Sequence, residues 1–240
     1  MSTYYLEILV LSIIQGISEF IPVSSSAHLL LFSKIKEFNY SSLEIDVSLH
    51  LGSLLAIIIY FWRDIFNIYK NKELLKLIII GSIPLLIFGF FFYEFGYIDQ
   101  IRNLKVIAWT TLIFGILLFF ADKRIQNKNI TKDLNLKNIF LIGLFQVISL
   151  IPGVSRSGII ITACRFSNFN RVDAAKISFL LSIPTLGAVS IFGLKNIIYA
   201  GDLNFSFMNL FSIFTSFLFS LLTIKFFLKY LKKFNLKVFV

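Results

Sequence analysis

Apolar residues in this chain come in long unbroken runs, without the three-to-four spacing of a half-buried helix or the alternation of a half-buried strand. Runs over roughly 47–62, 74–93, 104–121, 177–193 and 207–227 are each close to the ~20 residues that a helix needs to cross a bilayer. Two other apolar stretches, 4–33 and 138–164, are each broken by a proline followed by Ser and Gly or Ala. Interrupted helices are tolerated at membrane depth only where the freed backbone is buried in protein or lines a wet cavity. Each is therefore read as a re-entrant hairpin: a half-helix descends, turns at Pro22 or at Pro152-Gly153, and a second half-helix returns to the same side.

Loop charge supports that reading, because cytoplasmic loops carry the Lys and Arg excess. Segments 63–76, 122–137, 165–176 and the tail from Lys225 hold four, five, three and five basic residues, whereas 34–46, 94–105 and 195–206 hold two, two and one. Rich and poor loops alternate correctly only if both broken segments return to the side they came from. The first hairpin then enters from outside and the second from the cytoplasm. The expected fold is an all-α polytopic membrane protein, an inverted-topology repeat with two re-entrant helical hairpins and five to six spanning helices. Its halves are 1–126 and 127–240, with the two broken tips meeting near the midplane. The second half shows two clear spans, and a third would begin where the sequence stops at Val240, so that half is expected to lack its last helix.

Composition agrees. Of 240 residues 57% are hydrophobic and 15% charged, with a mean hydropathy of +0.83, far from a soluble domain. The net charge of +10 falls in short loops and forms no basic-aromatic face, so nucleic acid is excluded as a partner. One cysteine, Cys164, excludes an internal disulfide and a cysteine-based metal cluster. The N-terminus lacks the basic region and cleavage site of a signal peptide, so the first segment is expected to be retained.

The two interruptions carry the chemistry. Polar groups inside an apolar segment are costly and mark a functional site when they face a cavity or one another. Gln15 and Glu19 are four apart, so on a helix they share a face and converge on one partner. That partner is either a hard cation such as Mg²⁺ or Ca²⁺, which takes oxygen ligands and shares them with a substrate, or a structural hydrogen bond. Ser24, Ser25 and Ser26 stand where the next half-helix begins, either as plain caps or as an anion site built from hydroxyls and free N–H groups. His28 lies three residues after Ser25 on the same helical side, the place for its base. On the other tip, Ser155-Arg156-Ser157 follows Pro152-Gly153 in the same position. The Arg156 fork suits bidentate phosphate binding, a pairing with Glu19 across the tips, or both. Weaker features include Gly52 and Ser53 for close helix contact, His50 as a packed or capping residue, and Arg171 to Lys176 as an orienting charged helix start. Pro84 and Pro184 are expected to kink matching spans, and 127–138 to be a solvated linker. The inventory fits a phosphorylated ligand with a greasy remainder, and residue chemistry alone does not separate hydrolysis from transport.

Gln15-x-x-x-Glu19 followed by Pro22-Val23-Ser24-Ser25-Ser26-x-His28, together with Pro152-Gly153-Val154-Ser155-Arg156-Ser157-Gly158, resembles the signature pair of the undecaprenyl pyrophosphate phosphatase family, the bacitracin-resistance type. Asp46 to Ser53 and Arg171 to Pro184 are also similar to that family. The resemblance implies a multi-pass enzyme of the bacterial plasma membrane, opening to the periplasmic or outer face. Such an enzyme converts undecaprenyl pyrophosphate to undecaprenyl phosphate and inorganic phosphate, recycles the cell-wall lipid carrier and lowers bacitracin sensitivity. By position it implies Glu19 and Gln15 at a divalent cation, Mg²⁺ or Ca²⁺, Ser25 as nucleophile, His28 as its base and Arg156 as phosphate clamp. Ser24, Ser26, Ser155, Ser157 and Gly153 would be substrate contacts. Partners would be a polyprenyl pyrophosphate and membrane lipids, with a homodimer left open. Gln15 stands where the family has Glu or Gln, one carboxylate fewer for the cation. The rival expectation is a carrier or flippase for a lipid phosphate, since broken helices that meet at the midplane are common in transporters.

Overall fold

All five long apolar runs form helices. In the computed structural model, which describes residues 2–25, 27–29, 43–70, 72–101, 103–124, 127–199 and 206–240, they are Leu43–Tyr60, Lys72–Glu94, Leu104–Asp122, Arg171–Tyr199 and Phe207–Leu231. Among the described residues these are the helices long and apolar enough to cross a membrane, and there is no strand beyond one isolated bridge, Lys128 to Phe169. We number the principal helices α1 (Ser2–Ser18), α2 (Leu43–Tyr60), α3 (Lys72–Glu94), α4 (Leu104–Asp122), α5 (Leu136–Val147), α6 (Arg156–Phe166), α7 (Arg171–Tyr199) and α8 (Phe207–Leu231).

Both proline-broken stretches are interrupted helices. α1 stops at Ser18 and helix resumes at Ser25, while α5 passes through a 3₁₀ turn, Ile148–Leu150, and a bend before α6 starts at Arg156. The return arm expected for the first hairpin lies outside the described residues beyond Leu29. Around the second, entry and exit are adjacent: Lys128 N–H donates to Asn168 O at 3.1 Å and Asn170 N–H to Lys128 O at 3.1 Å.

The halves interleave. α2 packs against α8 and α7, α1 against α8, and α5 against α3. The span window of α7 is 56% buried and that of α4 only 17%, so α7 is the central pillar and α4 lies at the edge. Apolar burial drives helices together only weakly in lipid, and close backbone approach with interhelical hydrogen bonds takes over. A Cβ at Gly52 would collide with Ile213 O on α8, and one at Gly143 with Gly81 O on α3. Beside Gly52, Ser53 Oγ lies 3.0 Å from Ser220 Oγ, Ser216 Oγ donates to Leu49 O at 2.7 Å, and Thr215 Oγ1 to Ser12 Oγ at 2.7 Å. At about 0.6 kcal/mol each, these bonds hold α1, α2 and α8 together by only about 2 kcal/mol. Backbone proximity is therefore the larger part.

The expected orienting role of the 165–176 charges is incomplete. Arg165, 1% exposed, and Arg171 both pair with Asp122 at the end of α4, at 2.9 and 2.8 Å. Leu236 N–H donates to Asp122 Oδ2 at 3.0 Å, which brings the segment after α8 into the same knot. The 127–138 segment is likewise no free linker: it contains the helical turn Ile130–Asp133, and Ile130 N–H donates to Asp173 Oδ2 at 3.2 Å.

Candidate active site

The first tip is built by proline and caps. Pro22 has no N–H and disfavours helix at the residue before it, so the helix opens between Glu19 and Val23. Ser24 caps its continuation, with Ala27 N–H donating to Ser24 Oγ at 3.3 Å. Phe20, 1% exposed, anchors the turn edge-to-face against Phe179 of α7 at 5.4 Å. Glu19 is thereby fixed one helical turn from Gln15, whose Nε2 donates to Glu19 Oε2 at 3.0 Å. Ser25 Oγ donates to the same carboxylate oxygen at 3.0 Å.

The second tip is held from outside. Gly153 adopts φ +91°, a left-handed conformation that favours glycine, and a Cβ there would collide with Thr110 on α4. Thr110 Oγ1 donates to Pro152 O at 2.7 Å and Thr111 Oγ1 to Gly153 O at 3.3 Å. Ser155 caps α6, accepting from Gly158 N–H at 3.1 Å.

The tips meet. Ser157 Oγ donates to Ile21 O at 2.8 Å, and the guanidinium of Arg156, first residue of α6, bonds Glu19 Oε1 through Nη2. Arg156 Nη1 donates to Thr185 Oγ1 at 2.5 Å. The pair is only partly shielded, with Arg156 16% exposed and Glu19 6%, and the five-donor fork keeps N–H groups to spare.

This cluster forms one pole of a cavity of about 530 Å³, with Gln15, Glu19, Ser25, His50, Ser155 and Arg156 on its wall. The remainder is largely apolar, with Leu85, Phe90, Leu150, Val189 and Phe192 along it. A pocket with one anion-directed end and a greasy flank suits an amphiphile whose head carries phosphate.

Several expected site residues stand elsewhere. His28 is exposed and off the cavity wall, and its Nδ1 sits 2.6 Å from Ser24 O, so the group beside the Ser25 hydroxyl is the Glu19 carboxylate. Gly153 and Ser157 do not line the cavity either: the first shapes the bend and the second joins the tips. Ser24 and Ser155 line it while serving as caps. Ser26 lies outside the described residues. Two residues bonded to this cluster from the wall were not expected site residues. Thr185, just after Pro184, receives Arg156, and no polar break marked it in the apolar run. His50, expected as a packed or capping residue, lines the cavity with Nδ1 3.0 Å from Gln15 Nε2. Its signal was an imidazole within a span, the same kind of signal that singled out His28.

Fold and site together define a polytopic helical membrane protein with a phosphate-directed site between two helix breaks. Comparison with known proteins makes this particular: residues 8–240 match the family described as Bacitracin resistance protein BacA, and the chain belongs to that family. It is 56% identical over 236 residues to a protein of Pelagibacter ubique named undecaprenyl-diphosphatase, covering 98% of this chain and 92% of that one. Proteins of the same name from Elusimicrobium minutum and Jannaschia sp. are each 40% identical, over 96% and 80% of this chain and 90% and 77% of theirs.

Proposed function

We propose that this chain hydrolyses undecaprenyl pyrophosphate to undecaprenyl phosphate and inorganic phosphate. The observation that carries this reading is the Ser25 hydroxyl aligned on the Glu19 carboxylate beside Arg156, at the polar end of a mostly apolar cavity. A carrier needs the arginine, but it has no use for a hydroxyl aimed at a base.

The reaction follows from these contacts. In the free protein Arg156 spends part of its fork on Glu19. An arriving pyrophosphate competes for the same donors, binds Arg156 in bidentate fashion and leaves Glu19 free to accept a proton. Ser25 Oγ attacks the terminal phosphorus as its proton passes to Glu19, and the bond from that phosphorus to the bridging oxygen breaks. Polyprenyl phosphate leaves with its electron pair. Water then attacks the phosphoserine, Ser25 regains a proton, and inorganic phosphate departs. Arg156 neutralises charge that grows on the transferred group, the effect worth most in a dry site.

A divalent cation fits here in a limited way. Gln15 Oε1 is buried without a hydrogen-bond partner beside the Glu19 carboxylate, and no group of three His, Cys, Asp or Glu that could hold a metal is found among the described residues. Gln15 and Glu19 would hold the ion jointly with substrate oxygens, where it supplies further charge neutralisation.

The same reading places the chain in the bacterial plasma membrane as two inverted repeats, each opened by a re-entrant hairpin. Three observations support it. Entry and exit of 138–164 are hydrogen-bonded to each other. The packing of α1 on α8 mirrors that of α5 on α3. The cavity reaches Tyr93, Asn196 and Asp46, all beside the Lys- and Arg-poor segments, which the loop-charge rule assigns to the outer face.

The test is phosphate release from farnesyl or undecaprenyl pyrophosphate by the purified chain with Mg²⁺ or Ca²⁺, alongside Ser25→Ala and Glu19→Gln. Release by the wild type that is lost in both variants is the expected result. A wild type that binds the lipid tightly and releases no phosphate overturns it.

A further inference from the structure

We propose that His50 is a further substrate-binding residue, donating its Nε2–H to an oxygen of the pyrophosphate, and that Gln15 sets the ring tautomer that makes this possible. The inference rests on the phosphatase reading above.

The tautomer follows from the neighbours. An ionised carboxylate only accepts, so the Gln15 amide must turn its NH₂ end to Glu19 Oε2, 3.0 Å away. The same nitrogen is 3.0 Å from His50 Nδ1 and has a second hydrogen to give. Nδ1 is therefore the acceptor, and in the neutral ring the proton sits on Nε2. Nε2 has no hydrogen-bond partner among the described residues, and His50 is on the cavity wall with Glu19, Ser25 and Arg156.

The backbone leaves the ring little choice. One turn before His50, a Cβ at Gly193 would collide with Val47, so α2 and α7 are in direct contact there. Just before and after it, Ser216 Oγ donates to Leu49 O at 2.7 Å and Gly52 abuts the backbone of α8. A polar group on a helix locked on two sides is a preorganised contact. It costs little entropy to engage, and on a cavity with a large apolar flank an N–H gains most from an anionic partner. Arg156 and His50 then approach the pyrophosphate from the second tip and from α2, so that two phosphate groups have two separate donors.

Asparagine and glutamine separate this role from a structural one, because an Asn amide stands near the position of Nδ1 and a Gln amide near that of Nε2. For the full chain with farnesyl pyrophosphate, His50→Gln should stay close to the wild-type KM. His50→Asn and His50→Leu should raise KM about 10- to 100-fold, the loss of one hydrogen bond to a charged group, and the inhibition constant of inorganic phosphate should rise with it. Thermal unfolding in detergent identifies any variant that fails to fold, and the Asn and Gln pair decides among those that do. An Asn variant like the wild type, a Leu variant with unchanged KM, or a Gln variant as impaired as Leu overturns the assignment. A wild type that releases no phosphate overturns the phosphatase reading instead, so the two failures are told apart.

Discussion

Two ion-pair clusters sit at opposite ends of α6, and they have been finished differently. Asp122 accepts from Arg165, from Arg171 at 2.8 and 3.1 Å, and from Leu236 N–H, while Arg165 also donates to Phe169 O and Asp122 O. Both Asp122 and Arg165 are shut away from solvent, and of their polar atoms Arg165 Nε alone is buried without a partner among the described residues. Glu19 and Arg156 pair just as directly, yet they line a cavity, Arg156 keeps spare donors and Glu19 accepts from the Ser25 hydroxyl. A saturated cluster fixes helix ends. An unsaturated one waits for a ligand.

That contrast can be broken most easily at Arg156. Arg156→Lys keeps the charge but loses the fork that spans Glu19, Thr185 and phosphate. Phosphate release should fall by about 10²- to 10³-fold, the cost of one transition-state donor, and near-normal release would collapse the distinction between the clusters. Asp122→Ala is the reverse case. It leaves the buried Arg165 guanidinium, and the partly exposed one of Arg171, without their carboxylate, so unfolding in detergent should come about 3 kcal/mol more easily, while kcat per folded molecule stays near the wild type. A drop in kcat without lost stability would show that the knot serves the chemistry after all.

Next in size is His28→Ala. It removes the contact with the Ser24 carbonyl, which should cost about tenfold in phosphate release, as for one hydrogen bond of about 1 kcal/mol or slightly more. His28→Asn should recover much of it. An effect as large as that of Ser25→Ala, with no recovery, would make His28 the base. Smallest is Thr185→Val, which removes one neutral acceptor from Arg156. About 1 kcal/mol, or roughly fivefold in KM, is expected, and measurement of KM and kcat separately decides whether the loss lies in binding.

Much of this was readable along the chain. Uniform apolar runs can only be helices in a bilayer, because no water is there to satisfy an open backbone; four appear within four residues of the expected limits, and Arg171–Tyr199 extends six residues beyond 177–193 at each end. Pro22 and Pro152 marked the breaks by what proline lacks, and Gln15 and Glu19 meet because residues four apart on a helix always share a face. Partners 29 to 137 residues away had no such local rule. His28 and His50 carried equal weight as letters, and Thr185 looked like one more residue in an apolar span.

The sequence by itself determined the five long apolar helices, the two interruptions and the polar side chains placed in them, because hydrophobic length and backbone chemistry act locally. Only the tertiary structure decided which imidazole faces the cavity, which carboxylate holds the Ser25 hydroxyl and which arginines are structural. Those choices depend on glycine-sized contacts between α2, α7 and α8 and on the two tips reaching each other, and such contacts are set by packing across the whole bundle.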